Sequence, residues 1–417
     1  MMAYIVHISI ITATLWWFGK GLQGKDRMMY FAGAFMKITG GLFFGWLYIQ
    51  YLKGGDTLGY FHASFHWYDL FRENTAAYWE NLLYNSEGIS SRYTGEPRAV
   101  FMVKIVSLIS LAVGTRYWLI SMYFSLAAFA AAWYFFLQLK RYQPLYTNGF
   151  WLVLFAFPGL LFWGGGVLKE TVAIISLFVM AGLFIRAQNR ERIRIGEILV
   201  VIFVLYLILQ LKYYVLAVFL PSMALASYFI VVDHLSFFRV KWTKYTLLPI
   251  LIALAVVFVI NLSPNFQPDY FLYRVVADHD RLLKLTDTEF SISYEHYEPT
   301  VYSFLVNAPK AIFSGLFRPM IMEGSGYQLL SGVQNLFLLL AVIWGIYVKF
   351  RYQVKVSVTV WCCLLYCVVM ATFLAYATPN FGTLERYKSM FQPFLLLALV
   401  PVFYPSKTRI PSTTRAK

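Results

Sequence analysis

The sequence predicts an all-α, polytopic integral membrane protein with about eleven transmembrane helices and further interfacial helices on its outer face. Three observations carry that prediction. Hydrophobic residues fill 60% of the 417 positions and charged residues only 13%, whereas a soluble domain carries about 25% charged residues. Apolar runs of spanning length recur along the whole chain, and no polar stretch between them is long enough to build a separate soluble core. Basic residues, finally, gather in alternate loops. A single transmembrane domain, 1–417, follows, with a first outer loop at 53–116 and a second at 263–326.

Runs near 4–19, 28–51, 117–139, 150–167 and 170–186 are long enough, or nearly so, to cross about 30 Å of hydrocarbon. More follow near 197–212, 214–231, 245–262, 327–349, 356–376 and 388–404. The first run lacks a basic leader and a small-residue cleavage site before Lys20, so it is expected to remain as a helix.

Charge decides the role of one further apolar stretch, 99–115. If that stretch is interfacial or re-entrant, one set of loops holds Lys20, Lys25 and Arg27; Lys140 and Arg141; Arg186 to Arg194; Arg239, Lys241 and Lys244; Lys349, Arg351 and Lys355; and the tail from Lys407 to Lys417. The acids of those loops are only Asp26, Glu191, Glu197 and Asp233. By the positive-inside rule they are cytoplasmic, which places the N-terminus outside and the C-terminus in the cytoplasm. Making 99–115 a full span would put Lys53 to Arg98 beside the Arg186 cluster and scramble the early basic loops. The formal charge of +15 is thereby a matter of topology, and no nucleic-acid partner is expected.

That orientation gathers polar residues at the outer face. Asp56 lies in a Gly-Gly-Asp turn followed by Tyr60, His62, His66, Trp67, Tyr68 and Asp69, an aromatic and polar surface suited to stacking on sugar rings. A plain helix cap is the alternative for Asp56. Lys169 and Glu170 follow Gly164, Gly165 and Gly166 at the outer tip of an expected hairpin, and Lys212 with Tyr213 and Tyr214 makes the next outer turn. Ionisable groups at membrane depth are costly unless they line a cavity or snorkel to water. Arg318 in LFRP and Arg386 in ERYK either anchor helix ends or hold a lipid phosphate through their planar forks.

The second outer loop is acidic, with Asp269, Asp278, Asp280, Asp287, Glu289, Glu295 and Glu298. A solvated acidic loop is preferred there over a divalent-cation site at Asp278 to Asp280, and no cofactor or metal is expected. Thr300 to Phe317 reads as an amphipathic helix on the outer surface. Cys362, Cys363 and Cys367 sit in an apolar run, without a redox or zinc spacing. Walker A, GxSxG, HExxH and paired CxxC patterns are absent from the sequence, which argues against ATP-driven transport and protease chemistry.

In layout, GGDTLGY around Asp56, the interfacial stretch 70–115, the span Trp118 to Arg141 and the hairpin motif VLKET around Glu170 resemble polytopic glycosyltransferases of the GT-C class. LFRP and FGTLERY are similar to motifs of bacterial envelope-glycan membrane proteins. The resemblance implies a polyprenyl-phosphate-linked sugar donor, a glycan, lipid or protein acceptor, and a place in the bacterial cytoplasmic membrane in contact with its lipid. On that basis Asp56 and Glu170 are the expected catalytic carboxylates. Lys169, Lys212, Arg318 and Arg386 would hold phosphate, Tyr213 would bind substrate beside Lys212, and Tyr60, His62 and His66 would hold sugar. A polysaccharide polymerase or ligase is the nearest alternative, and a non-catalytic lipid-linked glycan transporter a more distant one.

Overall fold

The computed structural model describes residues 1–84, 93, 95–234, 247–284, 291–323 and 328–403. The basic group at Arg239 to Lys244, the tail from Lys407, Asp287 and Glu289 lie outside the described residues, as do the side chains of Asp233 and Asp269. Every regular element among the described residues is a helix. The chain divides into two compact units: Met1–Tyr142 with Trp151–Leu216, and Gln143–Phe150 with Ala217–Lys417.

The first unit begins with α1 (Met2–Gly19) and α2 (Gly24–Trp46), the latter running into a π-helical turn at Leu47–Tyr51. After these come α3 (Asp56–Glu73), α4 (Thr75–Tyr84), α5 (Pro97–Val113) and α6 (Tyr117–Tyr142). Next are α7 (Thr147–Phe155), which starts in the other unit, α8 (Pro158–Trp163), α9 (Lys169–Gln188) and α10 (Ile195–His234), along which the unit boundary falls. Burial ranks them. The most apolar window of α9 is 67% buried and that of α6 61%, against 11% for α1, so α6 and α9 form the centre and α1 the rim. The exposed face of α1 carries Ile5, Trp17 and Phe18, which lipid accepts and water would not.

Small residues let α2 approach its neighbours. A methyl on Gly40 would sit 2.8 Å from the Leu161 carbonyl oxygen, and one on Gly41 would collide with Ser125 Oγ and lie 2.6 Å from the Gly165 carbonyl oxygen. Without a hydrophobic drive between helices in lipid, such close backbone contact is a main source of packing energy.

The second unit contains α11 (Leu248–Leu262), α12 (Pro268–Lys284), α13 (Val301–Phe317), α14 (Gln328–Arg351), α15 (Val358–Ala377), α16 (Phe381–Lys388) and α17 (Gln392–Phe403). The expected amphipathic helix at 300–317 is α13. Its inner face is small and polar, with Ser303, Asn307, Ala311, Ser314 and Gly315 buried, and a methyl on Gly315 would strike the Ala371 backbone of α15. Val301, Tyr302 and Leu305 face outward. Cys362 and Cys367 are buried on α15 as packing residues. Where a solvated loop was expected at 263–308, residues 268–284 are helical, with Val275, Val276 and His279 turned inward.

Seven of these helices are long and apolar enough to cross a membrane among the described residues: α1, α2 with its extension, α6, α9, α10, α14 and α15. With α11 and α17 as shorter apolar helices, the protein is an all-helical polytopic membrane protein. Three expected runs look different in detail. The run 150–167 is interrupted, because Pro158 lacks an N–H and pushes Phe157 into an extended conformation (φ −70°, ψ 119°), and the glycines that follow leave the helix before Lys169. The runs 197–212 and 214–231 are joined in α10, where Lys212 departs from helical geometry (φ −146°, ψ 52°). The last run is shortened to α17, after the separate helix α16.

The packing of α2 makes a direct prediction. Gly41→Ala should cost about 1–3 kcal/mol through overpacking, lowering the melting temperature in detergent, whereas Gly21→Ala, with nothing within 4 Å, should leave it unchanged. Equal melting of the two variants would refute the close approach.

Candidate functional site

The ends of the first unit differ chemically. At one end Lys140 pairs with Asp26 at 2.5 Å, Arg141 with Glu191 at 2.6 Å and Arg186 with Glu191 at 2.7 Å, while Arg186 also reaches Glu197. The basic loops near 20–27, 140–142 and 186–197 therefore share that end. Helix α6 runs from there back to Tyr117, whose hydroxyl is 2.8 Å from Thr57 Oγ1, next to Asp56. From Arg186 back to Lys169, or from Ile195 on to Lys212, a rise of 1.5 Å per residue covers about 25 Å. The second polar group thus lies near the opposite boundary of a hydrocarbon layer of about 30 Å.

This second group is a chain of contacts. Glu170 is fully buried in the first turn of α9, and its carboxylate meets Lys212 Nζ at 2.6 Å, with the two side chains 1% and 4% exposed. Lys169 Nζ lies 5.4 Å from the centroid of the buried Tyr60 ring, and Lys212 Nζ lies 5.6 Å from that of Tyr214. Arg98, near the start of α5, places its guanidinium 5.3 Å from the ring of Tyr213. Tyr60, Lys169, Glu170, Lys212, Tyr213 and Arg98 are thus linked in order by contact or by chain adjacency.

Asp56 enters through helix geometry. It is the first residue of α3, so its own helix is capped by Gly55 and the reading of Asp56 as a side-chain cap does not hold. Gly55 has φ 93°, and a methyl there would lie 2.6 Å from Tyr48 Cε1, so only glycine fits the turn that aims α3. Asp56 and Tyr60 stand one turn apart on one face of α3. His62 and His66 are exposed on another face and are not brought to this chain.

The remaining predicted residues belong to the second unit. Arg318 closes α13 and is gripped by Glu323, with Nε 2.8 and 3.0 Å from the two carboxylate oxygens and Nη2 at 2.7 Å. Burial pushes the Glu323 carboxyl up, but the Arg318 guanidinium and the Met320 N–H outweigh it and hold it below its ordinary range. Beside it Asn335 Nδ2 donates to Glu385 Oε1 at 2.7 Å and to the Pro319 carbonyl at 3.0 Å. Lys388 Nζ donates to Glu385 Oε1 at 2.7 Å and to the Arg318 carbonyl, and Gln392 Nε2 donates to Asn335 Oδ1 at 3.3 Å. Arg386 is half-buried, its guanidinium over Tyr387 at 5.2 Å.

Nearby, His279 is buried against Tyr294 and Tyr297, with ring centroids 5.6 and 4.9 Å away, and its Nε2 is 3.1 Å from the Ile292 carbonyl oxygen. Burial lowers its pKa, against the opposing pull of Asp280 and of that carbonyl. Burial also raises the phenols of Tyr294 and Tyr297. Asp278 pairs with Arg274 at 3.2 Å and with Arg281 at 3.4 Å.

Arg98 and Lys37 were not read from the sequence as site residues; an anionic partner was expected for Lys212, but neither Glu170 in that place nor Glu323 beside Arg318 was named. A lysine inside the apolar run 28–51 was the available signal for Lys37. The pairings had none, since Glu170 and Lys212 lie on separate helices and nothing in either segment names the other. Fold and site together define a helical membrane protein with a buried polar centre. No family model, curated protein or solved structure matches the chain.

Two predictions follow from these geometries. Lys212→Met strands the buried Glu170 carboxylate and should cost about 3–5 kcal/mol; adding Glu170→Gln should recover a large part, read as melting temperatures in a double-mutant cycle. Additive losses would break the pairing. For His279 the unfolded chain takes up a proton below about pH 6.5 that the folded chain resists, so stability is unaffected above that pH and falls below it. His279→Gln should flatten the decline between about pH 6.5 and 5; an unchanged acid limb would refute the assignment.

Proposed function

We propose that the protein transfers a sugar from a polyprenyl-phosphate-linked donor to a glycan, lipid or protein acceptor at the outer face of the bacterial cytoplasmic membrane. The observation that carries this reading is the contact chain from the Asp56 face of α3 through Lys169 and the Glu170–Lys212 pair to Arg98, at the end of the unit opposite its basic loops. By the positive-inside rule those loops are cytoplasmic. The finer topology of the proposal is eleven crossings, with the N-terminus outside and the C-terminus in the cytoplasm.

The acceptor hydroxyl attacks the anomeric carbon and forms the new glycosidic C–O bond. The bond from that carbon to the phosphate oxygen breaks, and polyprenyl phosphate leaves with the electron pair. Asp56 takes the hydroxyl proton as general base. Glu170 suits that role less, because its fully buried carboxylate is already engaged by Lys212 Nζ at 2.6 Å. Lys169 and Arg98 offset the charge growing on the phosphate, which matters most where water is excluded. Lys212 contributes through its pair with Glu170. Arg318, already held by Glu323, and Arg386 belong to the second unit and take no part in the proposed step.

A second reading has its own observation. Helix α10 breaks at Lys212, and the chain before α9 is interrupted at Phe157 and again from Gly164 to Leu168; the breaks at Lys212 and before α9 meet in the ion pair. Discontinuous helices of this kind line the substrate sites of transporters, so a protein that moves a lipid-linked glycan without chemistry would use the same centre.

Purified protein in liposomes with a lipid-linked sugar donor separates the readings. A new glycosidic bond, lost in Asp56→Asn without loss of folding, is the expected result. Full activity in Asp56→Asn would remove the base assignment, and lipid movement with no product would favour the transporter. Labelling of single cysteines at 53–84 from outside intact cells tests the orientation; labelling only in opened cells would reverse it.

A further inference from the structure

We infer that Lys37 is a positioning residue for the Lys169–Glu170 turn; the inference rests on the proposed reading of that site. Lys37 lies in the middle of α2, a candidate span, and its side chain is fully buried. Its Nζ is 3.4 Å from the Leu160 carbonyl oxygen, in the last turn of α8. Among the described residues it makes no ion pair. An ammonium at such depth is expensive and needs a reason.

The reason is the interrupted chain beyond α8. Helix α8 stops at Trp163, and Gly164, Gly165 and Gly166 carry the chain to α9 with the widest backbone freedom any residue has. At membrane depth no water completes the hydrogen bonds of such a segment, so side chains must. Thr171 Oγ1 donates to the Gly166 carbonyl at 2.7 Å, and Ser125 Oγ to the Gly165 carbonyl at 2.8 Å. These fix the downstream end and the middle of the glycine run. The upstream end is the turn that holds Leu160, whose carbonyl accepts from Gly164 N at 3.1 Å and from Lys37.

Gly33, Lys37 and Gly41 occupy one face of α2 at successive turns. A methyl on Gly33 would be 3.0 Å from the Phe155 ring, and one on Gly41 would be 2.6 Å from the Gly165 carbonyl oxygen. The lysine therefore stands in a glycine-lined face against the interrupted segment, and its donor binds Leu160, in the last helical turn before that segment departs. Moving the departure point moves Lys169 and Glu170, which begin α9 only a few residues later.

Amide hydrogen exchange on the full chain in lipid nanodiscs tests this. Lys37→Met should raise exchange across 158–168 by about tenfold while α6 keeps its protection, and Lys37→Arg, which retains a charged donor, should restore most of it. Should Lys37→Met fail to fold, Lys37→Gln is measured in its place with the same expectation. Wild-type exchange across 158–168, or a uniform rise in every helix that Lys37→Arg does not reverse, would overturn the inference. The measurement needs no turnover. Altered exchange in a protein that transfers no sugar would retain the role of Lys37 in holding this turn and reject the reaction instead.

Discussion

Hydrocarbon cannot hydrogen-bond to a peptide group, and the first unit is organised around the places where its helices break that rule. A spanning helix satisfies its own backbone; an interrupted one does not. The chain leaves helical geometry after Phe155, through the glycine run and again at Lys212. Polar side chains line the interrupted segment: Lys37 reaches the Leu160 carbonyl in α8, Ser125 the Gly165 carbonyl and Thr171 the Gly166 carbonyl. The buried serines and threonines of α6 and α9 are thus not strays in an apolar core. Replacing Ser125 with alanine would take from the Gly165 carbonyl the hydroxyl that donates to it, in a medium that offers no other.

The same logic separates two kinds of ion pair. At the basic end Asp26, which pairs with Lys140, and Arg141, which pairs with Glu191, are 41% and 63% exposed, so water competes with these two pairs and their net worth is small. Those pairs register loops rather than hold the fold. Glu170 and Lys212 are almost wholly enclosed, and neither charge can remain without the other. Their meeting is therefore a constraint on how α9 and the first part of α10 pack, and it places a dense charge pair beside aromatic rings at the end away from the basic loops.

Much of this was legible in the sequence, for reasons that can be stated. Length and apolarity of a run are local properties, so α1, α2, α6, α9, α14 and α15 fall close to the expected runs. The segregation of basic loops is also local, and the shared end of Asp26, Lys140 and Glu191 agrees with it. Breaks were legible only in part. Pro158 announces one, but hydropathy cannot distinguish a turn between two spans from a kink inside α10 at Lys212. Pairings such as Glu170 with Lys212, or Lys388 with the Arg318 carbonyl, join segments remote in sequence, and no pattern in either segment names its partner. His62 and His66 show the converse: adjacency in sequence to Asp56 suggested a shared surface, and the helical turn of α3 sends them elsewhere.

The second unit shows how basic residues can be numerous and yet committed. Arg318 is held by Glu323, while Lys388 and Asn335 converge on Glu385 and close over the carbonyls of Arg318 and Pro319. Arg318, Lys388 and Asn335 thus serve the protein's own backbone or carboxylates, so a phosphate reaching Arg318 would have to displace Glu323. In the first unit Lys169 and Arg98 lie over tyrosine faces, contacts worth about 0.5–2 kcal/mol each, and they flank the buried Glu170–Lys212 pair. Cations stabilise a developing phosphate charge most where water is excluded, and that end of the first unit brings cations, aromatic faces and a buried carboxylate together, which is why the proposed chemistry is assigned to α3, α9 and the first part of α10.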